Sequence, residues 1–565
     1  MYKKYTDYFS APSVISETVT ENGAPSHDTA NNHCLDLFFA LPSFRSEAHY
    51  NINHKYKNSE TLVSHRNPER NSSPSNFQSG DLHTLFKKAF DQNPVLAIRI
   101  LYWARDARFG AGERSIFRSI ITAFSAYPPF CDLYLNNSHL VEMIPFYGRW
   151  DDLFSLFNTP LEEQALNLIK NTLIGFSPLV NESNSKNALL AKMTYSTAPL
   201  CAKWMPREKS SNKEKRLIAE KIRKHLSWSK KRYRKILSHL TKQANAVEQK
   251  ICANQWEQID YSSVSSKAML LYRKAFKKHS PEKFSNFCKK LQQSKATVNS
   301  RVLYPHEIVA PFLEEAESNH AYCPIRFSTS IDSTTSLSEE EKSLLNAQWD
   351  CLPNFFSNTT NEILPVVDTS GSMYSNNNLP IKAAISLGIY ISERNEGAFK
   401  NSFITFSDFP EIQRIPDGDL SQKVAFLSTA NWGHNTNLEK VFLLVLKAAK
   451  RRALLHEDMP SIILILSDMH FDRACSHPNK TLFKTIETLY EEAGYPLPRI
   501  IFWNLAARKT TFPVTSHQTG TALISGFSPS ILKNFFKTNK LMTPQSIMEN
   551  TVHDSRYSDH ILPLL

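Results

Sequence analysis

No C-x-x-C pair occurs among the eight cysteines of this 565-residue chain, so neither a zinc ribbon nor a thioredoxin-type redox site is expected. The cysteines are scattered at 34, 131, 201, 252, 288, 323, 351 and 475. That spread fits free thiols in a reducing compartment better than a disulfide framework. No apolar run reaches the length of a membrane span,. The first residues, Met1-Tyr-Lys-Lys-Tyr-Thr-Asp7, carry no apolar core, so no secretory signal is expected,. A soluble, cytoplasmic protein with no membrane partner is the expectation. The patterns G-x-x-x-x-G-K-S/T, H-E-x-x-H and G-x-S-x-G are missing, which removes the common phosphate-loop, zinc-protease and serine-hydrolase readings,. Gly110-Ala-Gly112 is followed by Ser115 where a third glycine would stand. It also follows a helical pattern rather than a strand, so it does not make a dinucleotide site.

Charge is present but local. The formal net charge is +12. Residues 203–243 hold fifteen Lys or Arg against three Glu, an excess equal to that of the whole chain. Within it, Lys230, Lys231, Arg232, Arg234 and Lys235 surround Tyr233, with Trp228 just before. Basic side chains neutralise phosphates and aromatic rings stack on unpaired bases, so Lys230–Lys235 is the candidate RNA-contacting run. The alternative is a solvated helix face with Tyr233 and Trp228 turned into the core.

The chain divides by pattern. Residues 1–80 are rich in Ser, Asn, Thr and His and read as an irregular arm. Their apolar island, Leu35-Asp-Leu-Phe-Phe-Ala-Leu41, is expected to dock on the folded body. Residues 81–314 read as a helical, HEAT-like array. Pro94 sits where a first-turn proline would, and Leu96, Ala97, Ile100, Leu101 and Ala104 recur at helical spacing,. Gly110 and Gly112 break that helix, and Ile116, Phe117, Ile120, Ile121 and Phe124 mark the next. Residues 315–350 read as a polar connector. From 351 to 565 strands alternate with helices, the grammar of a doubly wound parallel sheet. Strands are predicted near 363–368, 402–407, 461–467, 499–504 and 521–525, with helices near 379–393, 437–452, 480–493 and 529–537.

The densest chemistry lies in that last part. Ile363-Leu-Pro-Val-Val-Asp-Thr-Ser-Gly-Ser372 is an apolar strand ending in Asp368, with Ser370 and Ser372 at two-residue spacing. Ser461-Ile-Ile-Leu-Ile-Leu-Ser-Asp468 is a second buried-type strand ending in an acid, and Thr436 precedes an amphipathic helix. Strand ends of an open sheet meet at one crevice. Asp368, Ser370, Ser372, Thr436 and Asp468 would offer hard oxygens there, suited to Mg²⁺ or a similar divalent cation such as Mn²⁺. The bland reading makes Asp368 a turn or cap residue only.

This constellation resembles the metal-ion-dependent adhesion site of von Willebrand factor A (vWA) domains, which is D-x-S-x-S, then a Thr, then an Asp. The resemblance implies a cation with one open position, filled by an acidic group from a partner. The pairing of a helical array with such a domain resembles the Ro-like, TROVE-related family. The matching strings are Arg105-Asp-Ala-Arg-Phe-Gly-Ala-Gly-Glu-Arg114, Ile144-Pro-Phe-Tyr-Gly-Arg-Trp-Asp-Asp-Leu153, Ala202-Lys-Trp-Met-Pro206, Leu303-Tyr-Pro-His-Glu307, Ile465-Leu-Ser-Asp-Met-His-Phe-Asp472 and Phe502-Trp-Asn-Leu505. The resemblance implies a helical ring that binds small structured RNA. Read from the residues themselves, Arg105, Asp106, Arg108, Glu113 and Arg114 suit ion pairing around a tight turn, and Asp151 and Asp152 suit a helix start.

Three functions follow as expectations. The first is a non-enzymatic RNA-binding scaffold with a Mg²⁺ site. The second is a metal-dependent protein-interaction module without nucleic acid. The third, less favoured, is a Mg²⁺-dependent hydrolase, for which no positioned base stands out, although His434, His470 and Asp472 lie near the predicted crevice.

Overall fold

The computed structural model describes residues 17–20, 25–45, 82–174, 197–300, 302–314, 326–327, 337–356, 362–396, 399–406, 409–429, 437–453, 455–456, 459–469, 471, 482–506, 511–532 and 542–557. A helix-rich N-terminal region leads into a six-stranded sheet. The glycine turn forms as the sequence implies. The Pro94–Arg105 helix starts with Asn93 capping Leu96 N and proline in its first turn, and the Arg114–Phe124 helix follows and packs on it. Gly112 takes a positive φ of 74°, and a side chain there would collide with the Tyr304 hydroxyl. The start of the helical region therefore touches its end, since Tyr304 precedes the short Pro305–Val309 helix.

The sheet strands are β1 (Ile363–Val367), β2 (Ser402–Thr405), β3 (Ile412–Arg414), β4 (Ile462–Ser467), β5 (Arg499–Asn504) and β6 (Thr521–Ser525). Their order is β6-β5-β4-β1-β2-β3. All neighbours are parallel except β2 and β3. The sheet is thus mixed, not wholly parallel as expected. The few residues between β2 and β3 leave no room for a crossover helix, so β3 returns antiparallel. Ile412-Gln-Arg414 also carries no apolar run, because the strand sits at an edge with little buried surface. The five other strands are almost wholly buried, which is why they read as apolar runs,.

The supposed connector ends in a helix. Ser338 and Glu341 form a capping box that starts Glu339–Asp350, and Leu344, Leu345 and Trp349 are buried,. Its three leading glutamates favour the helix N-terminus but disguise the segment as polar,. The Leu420–Thr429 and Pro544–Val552 helices were likewise not anticipated. The end of the expected 529–537 helix lies outside the described residues, and 529–531 form one 3-10 turn.

The apolar island docks as expected. Its helix, His33–Ala40, is capped by Asn32 and buries Leu35, Leu37, Phe38 and Phe39. Each such side chain contributes roughly 1.5–3 kcal/mol of burial. Phe38 stacks on Trp103 of the helical region at 4.3 Å. On the other side, Ser525 Oγ donates to Phe38 O (2.6 Å) and Asn504 Nδ2 donates to Phe39 O (2.9 Å). One short segment thereby joins the helices to the sheet. Among the described residues, no helix is long and apolar enough to cross a membrane.

Candidate functional site

The strand order fixes where a site can form. From β1 the chain moves to β2 on one side, then to β4 on the other, and continues outward through β5 and β6. The order reverses between β1 and β4, which is where an open α/β sheet has its crevice. Val367 pairs with Leu466, so the next residues, Asp368 and Ser467, stand side by side. Asp468 follows at once. Both acids are fully buried.

Asp368 is held by its own turn and by β4. Its Oδ1 accepts from Ser370 N (2.9 Å) and its Oδ2 accepts from Ser467 Oγ (2.6 Å). The Ser370 and Ser372 hydroxyls lie 3.1 Å apart. Among the described residues no Lys, Arg or His pairs with Asp368. Burial, and then the negative charge of Asp468, push Asp368 up to about 7. Met469, directly after Asp468, takes a positive φ of 68° while buried. A non-glycine residue rarely adopts that conformation, and it persists only where packing enforces it.

The structure therefore brings together Asp368, Ser370, Ser372 and Asp468. Thr436 lies outside the described residues, as do His434, His470 and Asp472. The chain resumes at Asn437, whose side chain accepts from Lys440 N and caps the Leu438–Arg452 helix. Ser467 is the contributor that the sequence reading passed over. The signal was available, because in-register parallel strands place it opposite Asp368. Among the described residues, no three His, Cys, Asp or Glu side chains cluster as a metal-binding group. The donor set here is different, two carboxylates with hydroxyls. A buried carboxylate with no counter-cation among the described residues, set beside a second one, is an arrangement that a divalent cation would relieve.

The basic run lies on the Lys230–Gln243 helix, started by Ser229 accepting from Arg232 N. Lys230, Lys231, Arg232, Arg234 and Lys235 are exposed. Tyr233 is not: it is 1% exposed, and its hydroxyl donates to Pro206 O at 3.1 Å. Trp228 is buried too, with the Arg232 guanidinium 5.4 Å from its ring centre. The expected stacking role of Tyr233 is thus corrected. Helical spacing aims it with Leu237 and Leu240 at the core, and its ring has no face to offer a base.

Three charges of the glycine turn, Arg105, Asp106 and Glu113, are spent internally. Asp152 binds Arg105 Nε (2.8 Å), Arg118 Nε (2.6 Å) and its own cap, Arg149 N (2.8 Å). Asp106 accepts from Arg556 Nη2 and from the Tyr557 hydroxyl, both at 3.1 Å. Glu113 accepts from Arg45 Nε (2.9 Å), whose Nη1 also donates to Leu505 O in the sheet region (2.6 Å). Arg108 and Arg114 stay at the surface.

Comparison with known proteins adds two family profiles and one relative. Residues 362–560 match a domain of unknown function, DUF7788, and residues 176–356 match a second, DUF2828. The first match spans the sheet and all five expected cation ligands, and the second spans the basic run. "Uncharacterized protein L728" of Acanthamoeba polyphaga mimivirus is similar, at 27% identity over 546 residues, covering 91% of this chain and 83% of that protein.

Proposed function

We propose that this chain is a non-enzymatic, Ro-like RNA-binding scaffold whose sheet carries a vWA-like Mg²⁺ site. One observation carries the metal half: Asp368 is buried beside Asp468 at the switch point with no cationic partner among the described residues. Asp368, Ser370, Ser372 and Asp468, with Thr436, would hold the ion. Bound there, Mg²⁺ would supply an open position to an acidic or phosphate oxygen of a partner. The RNA half rests on five exposed cations along one helix. With Tyr233 turned inward, contact is to phosphates, so it is shape-guided and salt-sensitive.

Two measurements test this reading. Calorimetric titration with Mg²⁺ should show one site in the native protein and none in Asp368→Ala. Binding of small structured RNA should fall steeply as salt is raised. Equal affinity in low and high salt would sink the RNA half and leave the metal half standing.

A second reading has its own observation. Phe409, between β2 and β3, is 78% exposed, and Lys440 of the helix that follows Thr436 lies 5.7 Å from its ring. An exposed aromatic at that place suits the anchor of a protein partner. Nuclease-treated pull-downs that retain a partner in Mg²⁺, and lose it in Phe409→Ala, would favour a metal-dependent protein-interaction module.

A further inference from the structure

We propose that the cleft between the Arg114–Phe124 helix and residues 203–218 binds a nucleoside monophosphate. The cleft encloses about 890 Å³ and is separate from the strand-end site. That volume is ample for a nucleotide-sized ligand.

Its lining is of two kinds. Phe154, Trp204, Met205 and Ile218 are apolar. Arg207, Lys209 and Lys215 are cationic. Other cations around the cleft are already matched. Arg118 pairs with Asp151 and Asp152, and Lys203 pairs with Glu248.

Arg207 is different. Its Nη2 donates to Thr241 Oγ1 at 3.1 Å, while its Nη1 is buried with no hydrogen-bond acceptor. Among the described residues no carboxylate forms an ion pair with it. Burial lowers its pKa, so the charge is desolvated as well as unmatched. A half-buried guanidinium without an anion is costly, and a bound anion relieves it. Lys209 and Lys215 stand exposed on the same cleft. Three cations, faced by Glu214, suit a phosphate dianion better than a single carboxylate. Trp204 is half-buried, with the Arg149 guanidinium 4.3 Å from its ring centre. Its ring and Phe154 offer stacking surface to a planar base. A phosphate for the cations and a planar base for the aromatic rings define the ligand class.

The test is calorimetry on the full chain with AMP, adenosine and inorganic phosphate. AMP should bind saturably and more tightly than either fragment. Arg207→Gln should weaken AMP about tenfold or more, because it removes a desolvated charge partner. The surface double variant Lys209→Gln/Lys215→Gln should also weaken AMP, and it keeps the test decisive if Arg207→Gln does not fold. No AMP binding by the native chain, or equal binding by the lysine double variant, overturns the proposal. Short RNAs with 5′-phosphate or 5′-hydroxyl ends separate the two sources of this chemistry. Displacement of AMP by the phosphorylated RNA alone assigns the site to RNA ends. Displacement by neither assigns it to free nucleotide. Equal displacement by both overturns phosphate recognition. Replacing Lys230, Lys231, Arg232, Arg234 and Lys235 should leave AMP affinity unchanged, so this site and the exposed RNA face fail separately.

Discussion

Two charge-rich stretches of this chain end in opposite environments. The turn at 105–114, with 149–152, mixes arginines with aspartates and a glutamate and folds inward. Arg105, Asp106, Glu113 and Asp152 are all buried. The run at 230–235 carries one sign only and faces water. The difference is one of pairing. A buried charge is tolerated when an opposite charge and hydrogen bonds accompany it, whereas like charges on adjacent helical positions must stay solvated. Balanced signs in a short window therefore mark a structural joint, and a single-sign run marks a surface free for an anionic partner.

The comparison breaks most severely at Asp152. Replacing it with alanine leaves Arg105 without a carboxylate in the core and removes one of the two that hold Arg118. Stability should fall by about 3–5 kcal/mol, read by urea denaturation of the whole chain. Gly148→Ala should fail similarly, because a side chain there would meet Asp152 Oδ2 and Arg105 Nε. A loss below about 1 kcal/mol for Asp152→Ala would mean that the joint is no more than a surface ion-pair cluster.

Asp368 sharpens the contrast, since it is buried with no cationic partner among the described residues. Its pKa is raised from the usual carboxylate range to about 7. Between those values the folded state holds a proton that the unfolded state has released. Stability from this group is therefore full at low pH and is lost as pH rises through about 7,. His306 acts in the opposite sense. Burial lowers it to about 3, so its contribution is present above the usual histidine range and is lost as pH falls towards 3. Of these two effects, the Asp368 one is what remains just above the usual histidine range. Metal-free protein should lose melting temperature from pH 6.5 to pH 8, and Asp368→Asn should abolish that slope. Added Mg²⁺ should restore the native protein at the upper pH. An unchanged slope in Asp368→Asn would place its origin elsewhere.

Much of this was legible because period and burial coincide. Each fully buried strand appeared as an apolar run, and the reversal at β1 brought Asp368 and Asp468 together without any long-range knowledge. Ser467 was legible in principle, through register. Three things were not. β3 buries too little to leave a pattern. The Glu339–Asp350 helix hides its core residues behind an acidic first turn. Arg207 became conspicuous only when Thr241, distant in sequence, took one end of its guanidinium and no described residue took the other. Tyr233 was legible but ambiguous, because an aromatic within a basic run serves a core or a ligand equally well until the helix phase is known.

The exposed run offers the smallest effect on the fold and the clearest effect on binding. Changing Lys230, Lys231, Arg232, Arg234 and Lys235 to glutamine removes no described ion pair. Each change should therefore cost within about 0.5 kcal/mol of stability. RNA affinity should nonetheless drop, and its salt dependence should flatten, because fewer phosphates are neutralised. Tyr233→Phe provides the control within the same helix. It removes one hydrogen bond to Pro206 O and should cost about 1 kcal/mol,. RNA binding should be untouched. If Tyr233→Phe weakened RNA while the glutamine variant did not, the helix would contact its ligand through its inward face. The division between paired charge inside and single-sign charge outside would then fail as a guide to function in this chain.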